Sequence, residues 1–393
     1  MRLFNANVHP VTSPAFYGWV EVKNGKITAM GEGDIKPSAH DTDCKGNHLY
    51  PGLIDIHTHM GFIGDGQGEE GIDVNEGSSA LTPALRAIDG INYYDGYFND
   101  AVKAGVTAVV TGVGSLNAIG GTMIAVKTDV RTERGTRSLE KAFIKTVAIK
   151  MALGENPKGY YAERDEAPQT RMAIAALIRE TLYKAKQYME KKEAAEDESD
   201  IPDFDLGYEQ LIPLFKKKIR PHIHCHRADD ILTALRICEE FGFSPLLVHC
   251  TEGYLVADII GEKLKKLGGG AVVGPILCDR GKPELAKADP KNAAVLTENG
   301  VMTAVCTDHP EVMTDLLPLS AAICRKNGLS REDSIRALTV NAAKLADIDH
   351  ITGSVEKGKD ADLVLFDGDP ADLDTNVLFT MINGIMVYDR GKE

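Results

Sequence analysis

Apolar residues follow two different periodicities along this chain, and the change between them divides it into parts. Near the N-terminus, Trp19-Val20-Glu21-Val22-Lys23 and Lys26-Ile27-Thr28-Ala29-Met30 alternate apolar with polar residues on either side of Asn24-Gly25. Alternation of period two around Asn-Gly predicts a β-hairpin with a type I′ turn. Residues 361–366 and 377–382 continue this style, and Asn383-Gly384 joins the latter to 385–388. Both ends are therefore β-rich. The economical arrangement pairs them into one small β-sandwich domain made of residues 1–51 and 350–393.

Residues 52–349 read differently. Short apolar runs at 106–111, 143–152, 221–226, 245–249, 271–275 and 301–307 alternate with helical stretches such as 230–240 and 255–267. Repeated strand–helix units over this length predict an α/β fold, a (β/α)8 TIM barrel. An open doubly wound sheet is the weaker alternative, because no glycine-rich dinucleotide fingerprint follows the first central strand. A long amphipathic helix over 170–192 carries Ile174, Leu177, Ile178 and Leu182 on one face. It runs into the charged stretch 191–200, and together they mark a helical insertion at about 156–218. Ser330 reads as an N-cap, with a helix from there to about Leu345.

Composition narrows the function classes. A net charge of −14 argues against nucleic acid as a partner. No stretch approaches the ~18 apolar residues of a membrane span, and Met1–Asn7 lacks the apolar core of a secretory signal. Seven scattered cysteines without C-x-x-C spacing fit a reducing cytoplasm better than a disulfide scaffold. A small-molecule substrate is the expected partner, and a homo-oligomer is left open.

Histidines supply the candidate chemistry. In Ile54-Asp55-Ile56-His57-Thr58-His59 the two imidazoles are two residues apart at a strand end, so they share a face. Two surface histidines near a loop would look the same, and the pair alone decides nothing. His222, His224 and His226 repeat the spacing, another strand ends at His249, and a later one at Asp308-His309. In a barrel, active groups collect at the C-terminal strand ends. Imidazoles with a carboxylate and no thiolate suit catalytic zinc or another divalent ion.

The order His-x-His, His, His, Asp resembles the amidohydrolase superfamily. The entry Pro51-Gly52-Leu53-Ile54-Asp55-Ile56-His57-Thr58-His59 carries the same resemblance. So do the helix around Ala337-Leu338-Thr339-Val340-Asn341 and the exit from Gly353 to Val364. The chain looks most similar to the branch of imidazolonepropionase-related and metal-dependent dipeptidase-like enzymes. The resemblance implies a metal-dependent amidohydrolase that holds one or two ions and cleaves an amide or cyclic amide C–N bond. It implies metal ligands at His57, His59, His224 and His249, and a general base at Asp308. A fourth-strand ligand is expected at Glu155, with a carboxylated Lys150 as the alternative. His226, Arg227 and His309 are candidate substrate contacts, though a salt bridge from Arg227 to Asp229 or Asp230 is the plainer reading. Deamination of a heterocycle is the nearest rival reaction. A silent metal-stabilised scaffold is the rival class, and it would not need Asp308.

Overall fold

The computed structural model describes residues 1–392. Its central part is a TIM-barrel-like α/β fold. Eight strands, Leu53–Thr58, Val106–Gly112, Ile119–Lys127, Phe143–Ala152, Arg220–Cys225, Leu246–His249, Gly270–Val273 and Thr303–Val305, are each hydrogen-bonded to the next in chain order. The first and last strands meet at their ends. There the Asp308 N–H donates to the His57 carbonyl at 3.1 Å, and the His59 N–H to the His309 carbonyl at 2.9 Å. Just below, the buried Asp55 carboxylate accepts from the Thr307 N–H at 3.2 Å. These contacts bring residues about 250 positions apart to one point of the rim.

The third strand departs from the strict (β/α)8 expectation. Ile119–Lys127 runs antiparallel to both neighbours, and only residues 113–118 separate it from the strand before. A parallel return needs a crossover of roughly a dozen residues or more, so this short link forces a hairpin. The third strand is buried throughout and does not alternate. Gly121 is required there, because a Cβ would lie 2.3 Å from the Leu85 carbonyl oxygen.

Alternation along the strands sorts apolar side chains into two layers. Leu246 and Val248 pack with Ile54, Ala108, Val272 and Ala304 to fill the barrel. Leu247 belongs to the larger cluster that seats the helices through Ile174, Ile231, Leu235 and Ile260.

In the insertion, helix Arg171–Ala194 starts where Thr170 caps it, its side chain accepting from the Ala173 N–H at 3.1 Å. Such a cap contributes about 1 kcal/mol. Ser330 caps Arg331–Leu338 as expected, but Thr339 (φ −133°, ψ −97°) breaks the run, and a second helix covers Val340–Leu345.

The two termini form one eight-stranded sheet. Its strands run in the order Ile385–Asp389, Val377–Ile382, Leu363–Phe366, His48–Pro51, Arg2–Val8, Phe16–Lys23 and Lys26–Glu32, and Thr42–Asp43 pairs Arg2–Val8 from the side. The N- and C-terminal parts join where Leu363–Phe366 lies antiparallel to His48–Pro51. Both Asn-Gly turns have the positive φ of a type I′ turn, 52° and 76° at Asn24-Gly25, 50° and 74° at Asn383-Gly384. The sheet encloses its own apolar cluster, including Leu3, Val20, Leu49, Leu363 and Phe379. Buried Lys127, at the end of the third barrel strand, pairs with Asp362 and, at 3.1 Å, with Asp360, which ties sheet to barrel. Among the described residues no helix is long and apolar enough to cross a membrane.

Candidate metal centre

The C-terminal strand ends bring two groups of potential ligands together. His57, His59 and Asp308 form one, and His224, His226 and His249 the other; within each, the ligating atoms lie within 4.8 Å of one another. His57 and His59 come from the first strand by alternation. His224 lies on the fifth strand and His226 just past its end. Alternation would send His249 to the helix layer with Leu247. Instead the backbone turns left-handed at His249 (φ 69°) and Cys250 (φ 48°), and again at Asp308 (φ 54°). Non-glycine residues adopt this region rarely and at some cost, and it recurs at functional sites.

Asp308 joins the two groups. Its carboxylate lies 3.4 Å from the Nε2 of His57, 3.4 Å from that of His59 and 3.9 Å from that of His249. The outer ring nitrogens are held by backbone: His59 Nδ1 on the Gly112 carbonyl at 2.8 Å and His249 Nδ1 on the Gly274 carbonyl at 2.7 Å. His226 Nδ1 is 2.7 Å from the Thr251 hydroxyl. Each such contact aims the opposite nitrogen inward, as second partners of metal-bound histidines do.

Electrostatics favour neutral imidazoles with free lone pairs. Burial pushes His57 down to about 3 and His226 to about 4, and it holds His224 and His249 well below the ordinary value. For Asp308, burial pulls upward, but the facing imidazoles outweigh it and keep the carboxyl well below the carboxylate range.

The donor set fits a divalent ion. His57 Nδ1, His224 Nδ1 and Asp308 Oδ1 are buried without hydrogen-bond partners, an arrangement that is costly unless something else occupies those atoms. No thiolate competes: Cys225 points its sulfur back to the Ile223 carbonyl at 3.4 Å, and Cys250 and Cys306 are buried thiols pushed upward by burial.

The fourth strand brings a correction. Glu155 is not delivered to either group. It is the first residue of helix Glu155–Ala162, beyond the strand end, and its Oε2 accepts from the Glu284 N–H at 3.4 Å. Lys150 is delivered instead, because the strand's alternation turns it inward. It is buried, with Nζ 2.9 Å from His57 Nε2, and burial lowers it to about 8. Two substrate candidates are also placed elsewhere. Arg227 is exposed and bonded to Asp229 through Nε and Nη2, both at 2.9 Å. His309 is buried, edge-on to Tyr97 at 4.3 Å, and its Nδ1 accepts from the Thr314 N–H at 3.3 Å.

A cavity of about 560 Å³ opens onto both groups, lined by His59, His224, His226 and Asp308 at its floor and by Asn156 and Lys282 on its wall. Lys282 Nζ donates to Asn156 Oδ1 at 3.2 Å. One buried residue here carries no signal in the sequence: Glu284, in the loop after the seventh strand; His222, already marked by its spacing, adds a partnerless ring below His224. Glu284 sits in a loop, where no periodicity points to it.

The Amidohydrolase family profile matches residues 214–388. The chain is similar over 99% of its length to all of a solved amidohydrolase from Thermotoga maritima, with 39% identity and a TM-score of 0.92. It is 26% identical to the amidohydrolase tasK of Hapsidospora irregularis over 95% of this chain, but spans only 40% of that relative's length. It is 25% identical to an imidazolonepropionase of Geobacillus kaustophilus, covering 89% of this chain and 83% of the relative.

Proposed function

Since the chain belongs to the amidohydrolase superfamily of metal-dependent hydrolases acting on C–N bonds, we propose that it cleaves an amide or cyclic amide in a small molecule. The observation that carries this reading is Asp308, an ionised carboxylate among imidazoles from the first and sixth strands at the floor of an open cavity.

His57, His59, His224 and His249 would hold the ion, with zinc favoured by the nitrogen and oxygen donors. Such an ion supplies an acidified water and polarises the scissile carbonyl. Asp308 accepts the proton of the attacking water as the C–O bond forms. It returns that proton to the leaving nitrogen as the C–N bond breaks. The 560 Å³ cavity would take a small-molecule substrate, and Asn156 and Lys282 supply polar contacts on its wall.

We read Lys150 as the fourth-strand ligand. An ammonium beside His57 Nε2 would repel a divalent ion. A lysine lowered to about 8 has a reachable free amine, which adds carbon dioxide through a new N–C bond, releases a proton and becomes a carbamate anion. The barrel over 52–349 would be the catalytic domain, with its helical insertion at about 156–218. The terminal sheet of 1–51 and 350–393 would be a small β-sandwich flanking it, and the reduced, buried cysteines fit a cytoplasmic setting.

The test is hydrolysis by metal-loaded protein across dipeptides, N-acyl amino acids, cyclic amides and aminated heterocycles. Turnover should fall by at least ~10²-fold in Asp308→Asn. Turnover unchanged by that substitution would remove Asp308 from the mechanism. Activity confined to aminated heterocycles would replace amide cleavage with deamination.

A further inference from the structure

Glu284 is a buried carboxylate with no evident reason to be there. It belongs to the short 3-10 turn Pro283–Leu285 and is 1% exposed. One oxygen is accounted for: Oε2 accepts from the Glu155 N–H at 3.0 Å. The other, Oε1, has no hydrogen-bond partner. It faces the second imidazole group, 3.8 Å from His224 Nε2 and 3.7 Å from His226 Nε2. Among the described residues no lysine or arginine nitrogen lies within 4.0 Å of this carboxylate; Lys282, two residues away, turns to Asn156 instead.

Burying an ionised carboxylate is expensive unless a cation meets it. Imidazolium is not that cation here, because charge-assisted N–H···O bonds run to about 2.7–2.9 Å, well short of the separations seen. Two ligands that each bond one ion at about 2.1 Å can be up to about 4.2 Å apart. Separations of 3.7 and 3.8 Å therefore put Oε1 within reach of an ion bound by either imidazole. The backbone is also shaped to place the carboxylate. Gly154 has φ 89°, and a Cβ there would lie 2.8 Å from Glu284 Oε2.

We propose that Glu284 is a metal ligand, binding through Oε1 an ion at the second imidazole group of His224, His226 and His249. The proposal rests on the metal-dependent reading above and adds to it an anionic ligand from the loop after the seventh strand. It also gives the Glu155 region a different part, since the Glu155 backbone amide orients the acid that does the binding.

The test uses the full chain stripped with a chelator and titrated with Zn²⁺ alone and Co²⁺ alone. Glu284→Gln keeps the size and an acceptor for the Glu155 amide but removes the charge. Its affinity for the ion should drop at least ~10-fold, and the visible spectrum of bound Co²⁺ should change. Isotherms and spectra identical to wild type would overturn the assignment. Anomalous diffraction from zinc-loaded wild type needs no variant. An ion within about 2.0–2.2 Å of Oε1 is expected, and an ion beyond 3 Å overturns the assignment. If wild type binds no ion at all, the metal-dependent reading falls with it. If it binds an ion that Glu284 does not touch, only this assignment falls.

Discussion

Two regions of this molecule crowd histidines together, and they do so for opposite ends. In the terminal sheet, His9 Nε2 and His48 Nδ1 meet at 2.9 Å, and the His9 ring stacks on Tyr50 with centroids 4.1 Å apart. The rings satisfy each other, and what remains is packing. At the barrel mouth the rings are as crowded, with His224 and His249 centroids 4.5 Å apart. Yet their inward nitrogens make no bond to one another. They converge beside Asp308 and Glu284, and the outward nitrogens of His59, His249 and His226 lean on backbone carbonyls or a hydroxyl. Crowding of histidine rings is thus uninformative by itself. What separates a ligand set from a packed pair is whether the ring nitrogens have already spent their lone pairs and protons on each other.

The sharpest way to break that contrast is to remove one ring from each region. His249→Asn should lower metal affinity by more than ~10²-fold, since even partners one step removed from an ion are worth 10–100-fold. His48→Gln should leave metal content unchanged. Metal analysis after dialysis reads both, and equal losses in the two variants would erase the distinction.

A smaller effect is expected in the pH dependence of stability. Burial lowers His9 to about 4; His48 and Arg331 add to that, and Asp369 opposes it. The unfolded chain takes up this proton near 6.5 and the folded one only near 4. Stability should therefore fall as pH drops from about 6.5 to 4. Discounted for partial exposure, the loss is about 1–2 kcal/mol. Denaturant titrations of metal-free protein across that range would show the slope, and His9→Phe should reduce it by that amount, the lowered histidines of the barrel mouth supplying the rest. A slope unchanged by that substitution would mean that His9 is not lowered in the folded state.

The smallest effect concerns Arg227, which lies outside both regions. Its exposed pair with Asp229 predicts that Arg227→Ala changes stability by no more than about 0.5 kcal/mol. Its kcat/KM should stay within about threefold of wild type. A KM raised tenfold or more would return it to the substrate site.

Much of the mouth was legible from spacing alone. His57 with His59 follows from alternation, and His224, His249 and Asp308 follow from strand ends. Other parts were not. The run 119–127 is apolar on both faces and rich in glycine, so it shows no period from which to recognise a strand. Lys150 and Glu155 are five residues apart, and choosing between them needs the strand's inward face and its end to be known together. Both faces of that strand are buried over 147–152, so the pattern does not mark the inward one. Glu284 lies in a loop whose course is set by the helix start at Glu155, 129 residues earlier.

The sequence by itself determined what is local and periodic. It specified the Asn-Gly hairpins, the Ser330 cap, the succession of strands and helices, and the types of ligand available at strand ends. The tertiary structure decided which of those ligands meet. Asp308 reaches the imidazoles because the eighth strand closes on the first. His249 does so because its backbone is held left-handed. Glu284 does so because another element's amide turns it inward. Each depends on contacts between distant segments, whose free energy belongs to the closed barrel and to no single stretch of the chain.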